Sequence, residues 1–443
     1  MQLPGVPSAL WSVLREAAGT ARIALVGGAV RDWLLHHHHR DPWRGLVDLD
    51  LVIEAPEVPR RSAGPSPFGP AGCPSPAWRL VERLTGLGGG VTVREARPHG
   101  QYGTVEVELE LDLHDGEWMP SPSPVRLLLD VASARGEVYP IPGDNPVVRF
   151  GAIEDDLARR DLTINAMAID LATGALLDPH DGGRDLANRC LRFLHPTSLG
   201  DDPTRLVRAA RYAARLGFRL AAESRAQAAS TLAAWPWVWR IGDPPTQAPA
   251  ALGTRLGREL ELLLDHATWP LALGCLQEWG GLLLLDPALQ ADPHWRRRLH
   301  WARRFRQPLV VALVALASDP LAVAERLQLP HRQHKVLAQL HSLRRQLAEE
   351  PQGQSPNHRS DRETPWHWCL RLEAPGLSPA AVALALACGQ GPRRPLLRWL
   401  LRWRHLGPER TSHELIASGV LPGPALGERL RRSRRERLGR ERP

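Results

Sequence analysis

Two aspartates, Asp48 and Asp50, stand two positions apart in the segment VDLDLVI. On an extended strand they share one face, while Leu49, Leu51 and Ile53 take the other. Carboxylates held so close repel each other unless a cation intervenes, and Mg²⁺ takes such oxygen ligands together with substrate phosphates. The chemistry that follows is metal-assisted phosphoryl or nucleotidyl transfer. About twenty residues upstream, GGAVRD (27–32) follows an apolar run and opens a helical pattern. Gly27 and Gly28 would let backbone N–H groups approach a triphosphate; the helix start adds positive potential, and Arg31 a charge-assisted bond. A DxD on a strand and a GG turn are each ordinary. Together they describe a phosphate cradle beside a metal site.

A second pattern lies in DDPTRLVRAARYAARLGF (201–218). Asp202 and Arg205 are three positions apart, so on a helix they face the same way. Cytosine and adenine share an exocyclic amine beside a ring-nitrogen acceptor, whereas uracil and guanine carry a carbonyl there. A fixed carboxylate accepting from the amine and a guanidinium donating to the ring nitrogen would select CTP and ATP and reject UTP and GTP. Arg208 and Arg211 continue the row and could hold a triphosphate. The plain alternative for Asp202 and Arg205 is an intrahelical salt bridge.

The elements that must position these residues read as strand, tight turn, helix, polar stretch and strand from Ala21 to Ile53. A proline-rich insert spans Glu54 to Pro76, and a second break spans Asp112 to Pro124. Alternation marks strands at Val91–Arg94, Gly103–Leu111 and Arg126–Ala132, and GLGGG (86–90), lacking the GK[ST] of a P-loop, reads as a helix-to-strand turn. After about Ile153 the periodicity is helical, in EDDLARR, TRLVRAARYAARLGF, RLGRELELLL and PLALGCLQEWGGLLLL. The expected fold class is an α/β head, a mixed sheet with helices, followed by an all-α neck, body and tail. The divisions fall at 1–152, 153–242, 243–375 and 376–443.

Taken in order, GGAVRD, VDLDLVI, RRDLTINAMAID (159–170) and the 201–218 helix resemble the class II tRNA nucleotidyltransferase and bacterial poly(A) polymerase family, a branch of the polymerase β superfamily. HGQYGTVEV (99–107), LLDVASARGEVY (128–139), RLGREL (255–260) and HELIASGVLPGPALGERL (413–430) continue the resemblance along nearly the whole chain. It implies that Asp48 and Asp50 ligate the metal, that Gly28 and Arg31 contact the triphosphate, and that Arg160 meets the nucleotide with Asp161 and Asn165 near its sugar. Asp130 occupies a strand where the superfamily often places a third carboxylate; a strand-end aspartate is the plainer reading. The implied activity is template-independent addition of C and/or A to the 3′ end of tRNA, with Mg²⁺ as cofactor and CTP, ATP and tRNA as partners. CC-only or A-only addition is equally compatible, the difference residing in a flexible loop expected near Arg135 to Phe150. The rivals are a poly(A) polymerase on the same scaffold and a catalytically inactive RNA-binding protein. One departure is Asp201, where the family usually has Glu, which bears on the contact that orients Arg205.

Length and charge agree with an RNA partner. The 443 residues correspond to roughly three domains. Fifty-six basic against 48 acidic residues leave +8, and Lys335 is the sole lysine, so almost every cation is a guanidinium suited to phosphate. HWRRRLHWARRFR (His294 to Arg306), PRRPLLRWLLRWRH (392–405) and the terminal RRSRRERLGRERP could neutralise phosphates, while their tryptophans recur at helical spacing and read mainly as core. Five scattered cysteines without a CxxC pair indicate neither a disulfide framework nor a zinc site, which favours a reducing cytoplasm. The N-terminus lacks the pattern of a secretory leader, and the longest aliphatic run, Leu309 to Ala317, is too short for a bilayer. His36 to His39 read as a solvated loop, and the HD pairs at 114–115 and 180–181 as turns rather than a hydrolase centre.

Overall fold

Alternating apolar segments of the first third pair into one seven-stranded sheet. The computed structural model describes residues 2–43, 45, 49–54, 75–87, 90–99, 103–111, 125–348 and 364–441. After helix α1 (Ser8–Ala18), strand β1 (Ile23–Val26) is flanked by β2 (Leu49–Ile53), and the GG turn leads from β1 into helix α2 (Gly28–His39). After helix α3 (Pro76–Leu87) come β3 (Val91–His99), β4 (Thr104–Leu111) and β5 (Val125–Ser133), which pair antiparallel in succession; β5 then lies parallel to β2. Helix α3 turns Ala77, Leu80, Val81 and Leu84 inward against these strands. Each leucine so buried stabilises the fold by about 2 kcal/mol. Asp48, residues 55–74 of the first insert and the whole 112–124 break, with the HD pair at 114–115, lie outside the described residues.

Four expectations are corrected. The sheet does not end near residue 150: two short strands, Ala168–Asp170 and Leu176–Leu177, complete it beside β1, giving the order β3-β4-β5-β2-β1 and then these two. Strands of three and two residues carry too few alternations to be read from periodicity. The loop expected at Arg135–Phe150 is an antiparallel hairpin of Arg135–Val138 with Val147–Phe150. The four histidines are the last turn of α2 rather than a loop; Arg40, in the left-handed region at φ 56°, closes the helix with its N–H on the Leu35 carbonyl. Trp33 stacks on His37, an i, i+4 contact that needs the helix to persist. PLALGCLQEWGGLLLL divides at Trp279 and Gly280 into a helix (Trp269–Glu278) and a 3₁₀ turn (Gly281–Leu284).

The chain forms two compact units. The first contains Met1–Val238 with Pro249–Ala251 and Leu271–Gly280; the second contains Trp239–Ala248, Leu252–Pro270 and Gly281–Pro443. Within the first, helix α4 (Ile153–Ala158) places Ile153 and Leu157 against Ala24, Val26, Val52 and Ala168 of the sheet. A later helix, α5 (Thr204–Leu216), buries Leu206, Val207, Ala209, Ala210, Ala213 and Leu216, the apolar stripe of a helix with one face inward, and ends at Gly217 in the left-handed region. In the helical second unit Trp295, Trp399 and Trp403 are buried, so these three are core rather than bases' stacking partners. Arg326 is also buried there, donating to the carbonyls of Leu252, Leu284 and Leu285, and burial pushes its pKa down to about 10. Among the described residues, no helix is long and apolar enough to cross a membrane.

Candidate active site

Asp50 on β2 pairs in register with Asp130 on β5. Laterally paired residues of neighbouring strands leave the sheet on the same face, so two half-buried carboxylates stand side by side. The register therefore supplies a second acid beside Asp50 that a DxD reading alone does not contain. Hard oxygen donors on adjacent rigid strands are the set a divalent cation takes, and the residues present fit such an ion.

The GG turn closes over these acids. Gly27 adopts φ 69°, and a Cβ there would lie 2.9 Å from Arg160 Nη1 and 3.1 Å from Asp50 Oδ2. Glycine is needed on both counts, conformation and space. The Gly27 N–H donates to the Met167 carbonyl (3.4 Å), tying the turn to the segment that follows RRD.

Arg31 is buried to 1% exposure and does not project from the turn. Its Nε and Nη2 donate to Asp32 Oδ1 and Oδ2 (2.8 and 3.0 Å), and its Nη1 donates to Asn165 Oδ1 (2.6 Å). Burial works against the Arg31 charge, but Asp32 and Tyr212 outweigh it and hold its pKa above the ordinary value. Asn165 Nδ2 donates in turn to Asp161 Oδ1 (3.0 Å), and Arg208 Nε donates to Asp161 Oδ2 (2.7 Å). Burial would raise the Asp161 carboxyl; the Arg208 charge and the hydrogen bonds from Asn165 and Arg208 prevail and hold it down to about 2. At the other end Arg215 Nη2 donates to Asp32 Oδ2 (3.0 Å). One polar chain thus runs Arg208, Asp161, Asn165, Arg31, Asp32, Arg215, fastening α5 at two points seven residues apart.

The shared helical face expected for Asp202 and Arg205 is corrected. Asp202 precedes α5 in extended conformation (φ −147°, ψ 99°), because a residue before proline, here Pro203, is kept out of the α region. Its Oδ1 accepts from the Thr204 N–H (2.9 Å) and the Thr204 hydroxyl (2.6 Å), the usual way an aspartate starts a helix. Arg205, one turn on, donates from Nη2 to the Arg159 carbonyl (3.1 Å) and lies over the Tyr139 ring. Asp201 accepts from the Thr197 hydroxyl (2.9 Å). Arg211 lies beside the Tyr212 ring.

Because Arg205 rests on the Arg159 carbonyl and the next residue, Arg160, reaches the Gly27 turn beside Asp50, the acidic residue and the start of α5 are brought to one place. Sequence reasoning missed several residues that hold this arrangement: Asp32, Asp156, Arg159 and Arg215. Spacing could have revealed one of them. Asp156 stands three and four positions before Arg159 and Arg160 and pairs with both.

Residues 120–192 match the family model described as the Poly A polymerase head domain. The chain is 31% identical over 448 residues to the A-adding tRNA nucleotidyltransferase of Halalkalibacterium halodurans, covering 94% of this chain and 84% of that protein. It is 33% identical over 426 residues to the CC-adding tRNA nucleotidyltransferase of Deinococcus radiodurans, with the same coverage. In fold it is similar to a CCA-adding enzyme in an apo form (TM-score 0.67, 21% identity, 100% of this chain and 97% of that one). It is also similar to the Thermotoga maritima CCA-adding enzyme complexed with tRNA (TM-score 0.61, 22% identity, 99% and 93%). The polar network, the paired acids and the length over which the relatives align lead to one conclusion: the chain belongs to the tRNA nucleotidyltransferase family of enzymes.

Proposed function

We propose that this enzyme adds C and/or A to the 3′ end of tRNA, taking CTP and ATP, releasing pyrophosphate and using no nucleic-acid template. The observation that carries the reading is the register of Asp50 with Asp130 beneath the Gly27 turn. Enzymes of this family generally use a divalent metal ion; here we assign Mg²⁺ to Asp48 and Asp50, with Asp130 as the third acid. When bound, the ion activates the primer hydroxyl and neutralises charge on the departing pyrophosphate.

The chain's own residues do the rest. Gly27 and Gly28 admit the triphosphate to the start of α2, and Arg160 places a guanidinium beside it. Asp161 and Asn165 line the sugar side while holding Arg208 and Arg31 in place. Arg211 adds positive charge along α5. Arg205 donates to the ring nitrogen of the incoming base and Asp202 accepts from its amine, with Thr204 fixing the carboxylate's orientation. The exposed arginines of the helix Pro424–Gly439 take tRNA phosphates. As a working organisation we keep the divisions at 1–152, 153–242, 243–375 and 376–443, with the strands Ala168–Asp170 and Leu176–Leu177 of the second completing the sheet of the first, and we place the enzyme in the cytoplasm.

Purified enzyme, Mg²⁺ and three tRNAs lacking all, two or one of the terminal CCA nucleotides test the reading with CTP alone, ATP alone and both. Extension by C, by A or by the full triplet supports it and says which activity is present. Long ATP-only tails on any RNA would replace it with poly(A) synthesis, and binding without incorporation would leave an RNA-binding protein.

A further inference from the structure

Asp156 has 0% exposure, and its carboxylate is spent on two consecutive arginines. Oδ1 accepts from Arg159 Nε (2.9 Å) and Nη2 (2.6 Å); Oδ2 accepts from Arg160 Nη2 (2.9 Å) and Nε (3.3 Å). Each arginine then leads to a different part of the site. Arg159 continues to Glu137 Oε1 (3.1 Å) on the 135–150 hairpin, and its backbone carbonyl receives Arg205. Arg160 donates from Nη1 to the Asn165 carbonyl (3.3 Å) and closes on Gly27 beside Asp50. A buried carboxylate is costly unless fully hydrogen-bonded, and among the described residues this one accepts from two cations whose placement the site needs. It makes no helix cap: within α4 the capping contact belongs to Asp155, which accepts from the Ala152 N–H.

We propose that Asp156 is a positioning residue that couples nucleotide binding to base choice: by fixing both guanidiniums it sets the charge beside Asp50 and, through Arg159, the placement of Arg205. This rests on the function proposed above. An asparagine in its place has one acceptor oxygen and an amide that opposes a guanidinium, so at least one arginine is released. The release acts on both ends of the site, because the two arginines are chain neighbours.

The test measures equilibrium binding of CTP, ATP and UTP by calorimetry, beside incorporation, in the full-length enzyme and in Asp156→Asn. The expected result is CTP and ATP binding weakened about 10-fold and the preference over UTP reduced several-fold, with Asp156→Glu recovering part of both. Circular dichroism confirms folding; should the Asn variant not fold, the Glu variant, which keeps the charge but shifts both guanidiniums, is expected to show the same changes at smaller size. A merely structural role lowers the active fraction or the melting temperature and leaves affinity and preference of the folded molecules unchanged, and that result overturns the proposal. Wild-type enzyme that binds and discriminates nucleotides but incorporates none contradicts the proposed function alone; the binding ratios still decide the role of Asp156.

Discussion

The acidic pair on β2 and β5 and the arginine row on α5 belong to one unit but are built in opposite ways. The acids are short and sit on rigid, hydrogen-bonded strands, so strand register alone determines where their oxygens can be. Arginines are long, and each carries about 2 kcal/mol of rotamer entropy that must be overcome to hold its end in one place. The structure supplies a hydrogen-bond acceptor for three of them: the Arg159 carbonyl for Arg205, Asp161 for Arg208 and Asp32 for Arg215. A short charged residue can be placed by its backbone; a long one must be placed by its neighbours. Consequently the acids depend on the sheet, while the arginines depend on a buried network that itself contains Arg31 and Asn165.

Breaking the network should cost stability, whereas breaking the acidic pair should cost rate. The largest effect is expected for Arg31→Ala, which leaves the Asp32 carboxylate and Asn165 without their buried partner; urea denaturation should show a loss of about 3–5 kcal/mol. Asp130→Asn should reduce incorporation about 100-fold or more while shifting the unfolding midpoint little; a strand-end aspartate without a role in chemistry would leave the rate intact. Acid sharpens the comparison further. The Asp161 carboxyl titrates near 2 in the folded chain against an ordinary value of 3.8. Its contribution of about 2 kcal/mol is therefore fully present above about pH 4 and lost as pH falls towards 2. Asp161→Asn should abolish that part of the acid sensitivity in pH-dependent denaturation. The smallest effect concerns an exposed cation outside that network: Arg435→Ala should weaken tRNA binding only about 3-fold, lower the salt dependence by roughly one phosphate contact and leave stability unchanged.

Much of this site was legible in the sequence because its parts are short and local. The GG turn needs glycine for conformation, and the DxD strand alternates acid with leucine; both patterns survive reading one residue at a time. The Asp50–Asp130 register was not legible, since it depends on how strands 80 residues apart align. Nor was the fate of Arg31, whose partner Asn165 lies 134 positions away, or of Asp32, whose partner Arg215 lies 183 away. Composition shows an arginine; only packing shows whether it meets solvent, a ligand or a buried acid. The misreading of Asp202 has a local cause that could have been seen: DP in DDPTR predicts an extended residue before the helix, not a helical one. The hairpin at 135–150 escaped because Pro140, Pro142 and Pro146 in its connection mask the alternation of its strands.

The most direct measurement places Asp50→Asn beside wild type, with labelled CTP, Mg²⁺ and a tRNA lacking its last three nucleotides, and follows incorporation and tRNA binding together. The account predicts that incorporation disappears while tRNA affinity stays within a few-fold of wild type. Turnover retained at a comparable rate in that variant would contradict the claim that these acids perform the chemistry.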